Sequence, residues 1–293
     1  MMEILKKVKR EVVHTLLYWG WGLGARKTPQ DFYAESVVSI AARWEGEVDP
    51  VLTYTAMYDV LRQRKFSGSF WELGGGYSTI LAPLSLRIPM STIHSVDFNP
   101  DKYNRILNST SNKRNFLKQI NLYSEITVSY QQVEESLLEM AKRLTQYPLE
   151  DVLRAVGLFS GDSFASCNDK AQFKEQVLNS FREHPHAHDE KAFYDFFDAQ
   201  CGEKLCSRLV RSQTRMDVLF LDCGELSSIA EFILLEPLVP VGGYILLHDI
   251  FYPKSIKNYL VATLLVLSDQ WDVVYTDTVS AQGGLVAVRR DVV

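Results

Sequence analysis

The sequence predicts an α/β fold in which buried, mostly parallel strands alternate with helices. Three observations carry the prediction. The short apolar run Phe70–Leu73 leads into Gly74-Gly75-Gly76 and at once into a helix-like stretch, Thr79–Ala82, which is the order of a strand, a tight turn and a helix start. A second apolar run, Thr92–Phe98, closes on Asp97, 21 residues after Gly76. Met216–Asp222 and Gly242–Asp249 repeat the theme of a buried strand ending in an acid.

The glycine turn comes first in the argument. Three glycines allow positive φ and a close approach of backbone to a ligand, and the new helix offers unpaired N–H groups. Glu72 stands just before the turn; its charge repels a phosphate and suits a cationic amino group. A turn that only reverses the chain is the plain alternative. The spacing to Asp97 puts a carboxylate beside the turn in a βαβ unit, where it can accept from ribose hydroxyls. Asp97 also reads as a cap for the helix opening at Pro100, and one loop can hold both roles.

Glu72-Leu73-Gly74-Gly75-Gly76-Tyr77-Ser78-Thr79 followed by Val96-Asp97 resembles the first two motifs of class I S-adenosylmethionine-dependent methyltransferases. It is similar to their small-molecule and sugar O-methyltransferase branch. The resemblance covers residues 66–131 and 214–290. It implies a doubly wound, mostly parallel, seven-stranded Rossmann-like sheet whose last strand is antiparallel. It also implies S-adenosylmethionine as cofactor. Glu72 and the backbone of Gly74, Gly75 and Gly76 would then hold the methionine part, with Ser78 a further cofactor-binding residue. Asp97 would take the ribose, and Phe98 and Gln131 would lie near the adenine, although core packing accounts equally well for Phe98. A nicotinamide-type G-x-G-x-x-G turn fits less well, because Thr79 stands three places after Gly76.

With 293 residues, 46% of them hydrophobic and 23% charged, the chain suits one large domain or one domain with an insertion. Cys167, Cys201, Cys206 and Cys223 show no CxxC spacing and read as free thiols of a reducing, cytoplasmic compartment. A net charge of −5 argues against a general nucleic-acid binder. The chain has no run of 18 apolar residues, so no spanning helix is expected. Lys6, Lys7, Lys9 and Arg10 precede Val12–Gly22, an order with some likeness to a signal peptide. The run is short and broken by His14 and by glycines, so a helix packed on the domain is expected, with Trp19 and Trp21 available for contact with a membrane surface.

Residues 1–65 read as an N-terminal helical cover, with helices over 2–18, 30–43 and 50–64, the last capped by Asp49 and started by Pro50. Residues 66–293 form the α/β domain. Its first helix holds Pro83 and so is short or bent. A helix begins over 100–107, a polar loop covers 108–115, and 116–122 extend as helix. Glu125–Tyr130 alternates with β-branched residues and reads as the third strand. Val133–Leu144 reads as a helix with Leu137, Leu138 and Met140 inward. Residues 145–213 are far longer than a normal helix-to-strand connection and hold helical segments at 149–156, 170–182 and 191–211. This insertion reads as a lid, a substrate pocket or a homodimer arm. Regular order returns with the strand 216–222, helix 227–235, strand 242–249, helix 255–267, and strands 271–276 and 284–289.

Ligands of open α/β sheets lie beyond the carboxyl ends of the strands. His248 is the general-base candidate there, since imidazole titrates near neutral pH. Asp249 follows it, and on a continuous strand the two side chains point opposite ways. Asp222 ends the preceding core strand, where the family keeps residues next to the reacting methyl. In metal-dependent relatives carboxylates at these strand ends hold a divalent cation, so Asp222 and Asp249 are candidate ligands for Mg²⁺. Relatives often read Asp-Gly-Asp-His after that strand; here the chain reads Asp222-Cys223-Gly224-Glu225, without the second acid and the histidine. His184, His186 and His188 alternate in the insertion and read as metal ligands or as an exposed polar loop. Arg208, Arg211 and Arg215 read as an anion site or a solvated helix face.

The resemblance implies a methyltransferase that acts on an oxygen of a small molecule or sugar. A binding protein that has kept the fold and lost the chemistry is the first alternative. A nucleotide-dependent enzyme on a related sheet is the second.

Overall fold

The computed structural model describes residues 48–99, 119–198 and 202–291. The expected helices over 2–18 and 30–43, the helix over 100–107, the loop 108–115 and Cys201 lie outside them.

The first described element, α1 (Val48–Gln63), turns Tyr54, Met57, Tyr58 and Leu61 inward. Their i, i+3, i+4, i+7 spacing places them on one face of a helix. Strand β1 (Phe70–Leu73) follows, then the glycine turn and α2 (Tyr77–Leu86) with Pro83 inside it. Strand β2 is Ile93–Val96 and β3 is Asn121–Tyr123. Helix α3 (Tyr130–Leu144) follows, and residues 145–213 hold α4 (Leu149–Ser160), α5 (Lys170–Arg182), α6 (Pro185–Asp198) and α7 (Leu205–Arg211). The chain ends β4 (Val218–Leu221), α8 (Ser227–Leu235), β5 (Tyr244–His248), α9 (Tyr259–Leu267), β6 (Trp271–Asp277) and β7 (Gly284–Arg289).

The seven strands form one sheet of order β3-β2-β1-β4-β5-β7-β6. Pairs among β1 to β5 are parallel; β7 is antiparallel to both β5 and β6. The sheet is therefore mixed, with β7 the reversed strand, at the end of the chain as the resemblance implies. Side chains alternate between two apolar layers. Phe70, Val218, Phe220, Tyr244 and Leu246 face α1 and α2. Trp71, Leu73, Leu219, Leu221 and Leu247 face the other way, where Val152, Phe159, Phe173 and Val177 of the insertion meet Tyr259 of α9. Burial on both faces is what makes these strands continuously apolar. The insertion is thus part of the cover over one sheet face.

The register fixes the site. Leu73 is level with Val96 and with Leu221, and Leu221 is level with Leu247. One residue further along each strand stand Gly74, Asp97, Asp222 and His248, in one row at the carboxyl edge.

Four local expectations need correction. The third strand is Asn121–Tyr123, and residues 121 and 122 are not helical. Residues 125–129 form no strand among the described residues: the carbonyls of Ile126 and Thr127 accept from the amides of Leu205 and Cys206 at the start of α7. Ser129 and Gln132 form a capping box, so α3 begins at Tyr130. Leu138 is on the solvent side of α3, while Met140, Ala141 and Leu144 are buried. The segment expected as one helix over 191–211 is split between α6 and α7, with Gly202 in the connection.

Candidate active site

A cavity of about 460 Å³ lies over the edge row. Gly74, Asp97, Phe98 and Asp222 line it from the strand ends; Glu190, Phe193 and Tyr194 line it from α6. Cys223, Glu231 and Lys257 complete the wall on the β4 and β5 side. Among the described lining residues five are acids (Asp97, Glu125, Glu190, Asp222 and Glu231), of which Glu125 is paired with Arg208, and Lys257 is a cation. The wall is therefore suited to a cationic ligand.

The glycine turn is shaped by the chain itself. Gly74 has φ +96, and a Cβ there would meet the carbonyl oxygen of Asp222 at 2.0 Å. The close approach of the β4 end thus requires glycine. The amides of Gly74 and Gly75 donate to the Val96 carbonyl at 2.9 and 3.0 Å, and the Gly76 amide donates to Thr79 Oγ1 at 3.0 Å. These three amides are engaged within the chain, and of the three glycines Gly74 lines the cavity.

Glu72 also departs from its expected place. It is fully buried on the face shared with Phe70 and does not line the cavity. Its carboxylate accepts from Thr79 and, at 2.8 Å, from Ser95, with the Ser78 side chain also favouring the charged form. Burial outweighs these hydrogen bonds and pushes its pKa up to about 7. Ser78 is buried beneath α1, its carbonyl accepting from Tyr58 at 3.2 Å. Gln131 is exposed on α3, where it donates to Glu135 at 2.8 Å, so it does not reach the cavity. Asp97 and Phe98 do line it: Asp97 Oδ1 accepts from the Asn99 amide at 2.8 Å, and the Phe98 ring lies 4.5 Å from that of Phe193.

The elevated pKa of Glu72 has a consequence for stability. In the unfolded chain the group ionises near 4.5, in the fold near 7. The fold therefore holds the extra proton between those values, and stability falls as pH rises through that window. Glu72→Gln removes the charge, and is expected to stabilise the protein by about 1–3 kcal/mol above pH 7 and by little at pH 4.5. Urea unfolding at the two pH values checks this; equal differences at both would take Glu72 out of the account.

At the other end of the row the three candidate catalytic residues meet. His248 Nδ1 lies 3.0 Å from Asp222 Oδ1 and 3.7 Å from Asp249 Oδ2. The expectation that His248 and Asp249 point apart fails because Asp249 is not on a continuous strand. It has φ +58, which turns the backbone and brings its carboxylate back beside the imidazole. Two further groups join them. Tyr54 of α1 donates to Asp222 Oδ2 at 2.6 Å and stands 3.4 Å from His248 Nδ1. Lys257 donates to Asp249 Oδ2 at 2.6 Å and lies 3.5 Å from Asp222 Oδ1.

Charges in this cluster hold one another. Burial would raise the Asp222 pKa, but His248, Lys257 and Tyr54 together hold it well below the usual carboxylate range. Burial pulls His248 down, yet Asp222 and Asp249 outweigh it and its pKa is raised. Lys257 is likewise raised, since the two carboxylates outweigh its burial. His248 is only 2% exposed, and its Nε2 is buried without a partner among the described residues.

The side chains of the loop after β4 are engaged by their neighbours. Glu225 accepts from Ser255 Oγ at 2.9 Å and from the Ile256 amide at 2.7 Å. Cys223 donates its thiol to Glu231, which also accepts from Thr127 at 2.5 Å. Burial pushes Glu231 up to about 7, with the neighbouring Glu190 adding to the rise. Glu190 accepts from the Glu225 amide and, at 2.8 Å, from that of Leu226, capping the start of α8 from the insertion.

The remaining candidates fall outside the site. Arg208 and Arg211 of α7, and Arg215 beyond its end, pair at 2.7 Å with Glu125, Glu203 and Asp217, so the three do not form one helix face. His184 Nε2 stands 3.3 Å from the Pro253 carbonyl; the side chains of His186 and His188 lie outside the description. Cys167, Cys206 and Cys223 are free thiols. Among the described residues no helix is long and apolar enough to cross a membrane.

No family model matches the chain, and no curated protein matches it. Solved structures do. An O-methyltransferase from Bacillus cereus in complex with SAH is similar with a TM-score of 0.46 at 12% identity, over 99% of this chain and 100% of that one. The O-methyltransferase TomG from Streptomyces achromogenes, involved in tomaymycin synthesis and in complex with SAM, has a TM-score of 0.43 at 9% identity, over 96% and 99%. Cofactor-bound Rv0187 from MTB has a TM-score of 0.35 at 12% identity, over 92% and 100%.

Proposed function

We propose that this protein is an S-adenosylmethionine-dependent methyltransferase that methylates an oxygen of a small molecule or sugar. One observation carries the reading. A cavity of about 460 Å³, walled by acids and aromatic rings, lies at the carboxyl edge between Asp97 and the Asp222–His248 pair. That wall fits the cofactor: Asp97 can accept from ribose hydroxyls, Phe98 and Phe193 offer ring faces to a base, and the acidic wall suits a sulfonium and an ammonium group. When bound, the cofactor supplies an electrophilic methyl whose transfer leaves a neutral thioether.

The chain's own residues then have separable tasks. Asp222 and Tyr54 fix His248 at Nδ1, leaving Nε2 as the lone pair that takes the acceptor's hydroxyl proton. Asp249 braces Lys257 beside them. The insertion, through Glu190, Phe193 and Tyr194, covers the cofactor and keeps water from the methyl. The cytoplasmic location and homodimer contact expected from sequence remain part of this proposal.

A second reading rests on the burial of His248: an acceptor oxygen must reach a buried nitrogen, so a binding protein with the fold and no turnover would show the same cluster. Labelled S-adenosylmethionine incubated with a small-molecule extract separates the two. The expected result is label in a small-molecule product. Retained cofactor binding with no labelled product would favour the binding protein.

A further inference from the structure

Asp222, His248 and Asp249 each offer one ligand atom, all within 4.8 Å of one another. By donor type this is a divalent-cation set. The engagement of those donors does not fit one. Asp222 Oδ1 faces His248, its Oδ2 accepts from Tyr54, and Asp249 Oδ2 is held by Lys257 at 2.6 Å. A divalent ion would have to displace an ammonium that already bridges both carboxylates.

The chain also builds the position of Lys257. Glu225 anchors residues 255 and 256 on its near side through the Ser255 hydroxyl and the Ile256 amide. On the far side Asn258 is fully buried, and its Nδ2 donates to the Leu221 carbonyl at 3.1 Å and the His248 carbonyl at 2.6 Å. Lys257 is thus clamped between two tethers to the ends of β4 and β5. Its ammonium has three N–H groups. One goes to Asp249, one faces Asp222, and the side chain lines the cavity.

We infer that Lys257 is the resident cation of this site: its ammonium takes the place of a divalent ion between Asp222 and Asp249, and it is the positive charge that meets an acceptor's oxygen. The second half rests on the proposed methyl transfer; the first does not. The site is then metal-independent, and Glu225, which stands where related loops carry other residues, is a positioning residue for Lys257.

Mn²⁺ titration, followed by calorimetry and by the loss of the free-ion resonance, tests it without any acceptor. The wild-type protein is expected to bind no Mn²⁺ at millimolar concentration. Lys257→Ala leaves two carboxylates facing each other and is expected to gain a single site, at least about 10-fold tighter in Mn²⁺ than wild type. Lys257→Arg keeps the charge and gains none. One saturable Mn²⁺ site in the wild type, lost in Asp249→Asn, would overturn the inference, and so would a folded Lys257→Ala that gains no site. If Lys257→Ala does not fold, the wild-type titration alone decides. For the second half, turnover of labelled cofactor is expected to be unchanged by a chelator and lowered by Lys257→Ala; loss of turnover on chelation would overturn it. Failure to bind S-adenosylhomocysteine would remove the methyltransferase reading and leave the Mn²⁺ result standing.

Discussion

His248→Ala is expected to lower turnover by about 10²–10⁴-fold, the contribution of a general base, with little change in S-adenosylhomocysteine affinity. The affinity is spared because the ring does not line the cavity. The pH profile gives the sharper signature. Burial opposes the charged imidazole, but Asp222 and Asp249 outweigh it, so the ring stays protonated above its ordinary range near 6.5. The free base is the active form. Turnover should therefore rise with pH through a pKa above 6.5, and this limb should vanish in His248→Ala. Asp222→Asn removes the larger of the two stabilising charges. Its limb is expected at lower pH, with a reduced plateau because the imidazole is less well oriented. A wild-type rate in both variants, or a profile with no limb near neutral pH, would place catalysis elsewhere and leave the pair as structure.

Asp97→Ala is expected to weaken S-adenosylhomocysteine binding by about 1–3 kcal/mol, the scale of charge-assisted hydrogen bonds to two hydroxyls. By the affinity scale that is roughly 5- to 150-fold. Asp97 also holds its own loop, since Oδ1 accepts from the Asn99 amide. Asp97→Asn separates the two roles: it keeps an acceptor for the loop and loses the charge. A loss shared by both variants belongs to the ribose contact. A loss confined to Asp97→Ala belongs to the loop. Calorimetry on the two variants, with unfolding curves to show that each is folded, makes the distinction.

Much of the frame was legible because it is written in local pattern. The mostly apolar runs at Phe70–Leu73, Ile93–Val96, Val218–Leu221 and Tyr244–His248 are all strands, short enough for a sheet covered on both faces. Their acids and His248 fall at the strand ends, so the row of Gly74, Asp97, Asp222 and His248 follows from strand boundaries once the register is level. What pattern could not give is tertiary. The alternation of 125–130 looked like a strand, but its carbonyls are taken by the start of α7, a partner about eighty residues away in the chain.

The site shows the same division. Tyr54 and Lys257 join the cluster from elements on either side of the sheet's ends, and no spacing to Asp222 or His248 announced them. The signals that existed were indirect: Tyr54 and Tyr58 recur at helical spacing on an inward face, and Lys257 stands just before the apolar helix run of α9. The joining of His248 and Asp249 turned on one backbone angle, the φ of +58 at Asp249, which the sequence of a strand end does not disclose. Glu72, read as a ligand for a cationic group, lies under the turn because the alternation of β1 sends it to the face of Phe70. That alternation was available from sequence; the direction of each face was not.

The central claim is that the cavity at this edge takes S-adenosylmethionine. Titration of S-adenosylhomocysteine into the wild-type protein, with NAD as the parallel ligand, tests it most directly. The account predicts one saturable site for S-adenosylhomocysteine and no heat of binding for NAD. Binding of NAD with none of S-adenosylhomocysteine would contradict it and assign the cavity to a nucleotide-dependent enzyme.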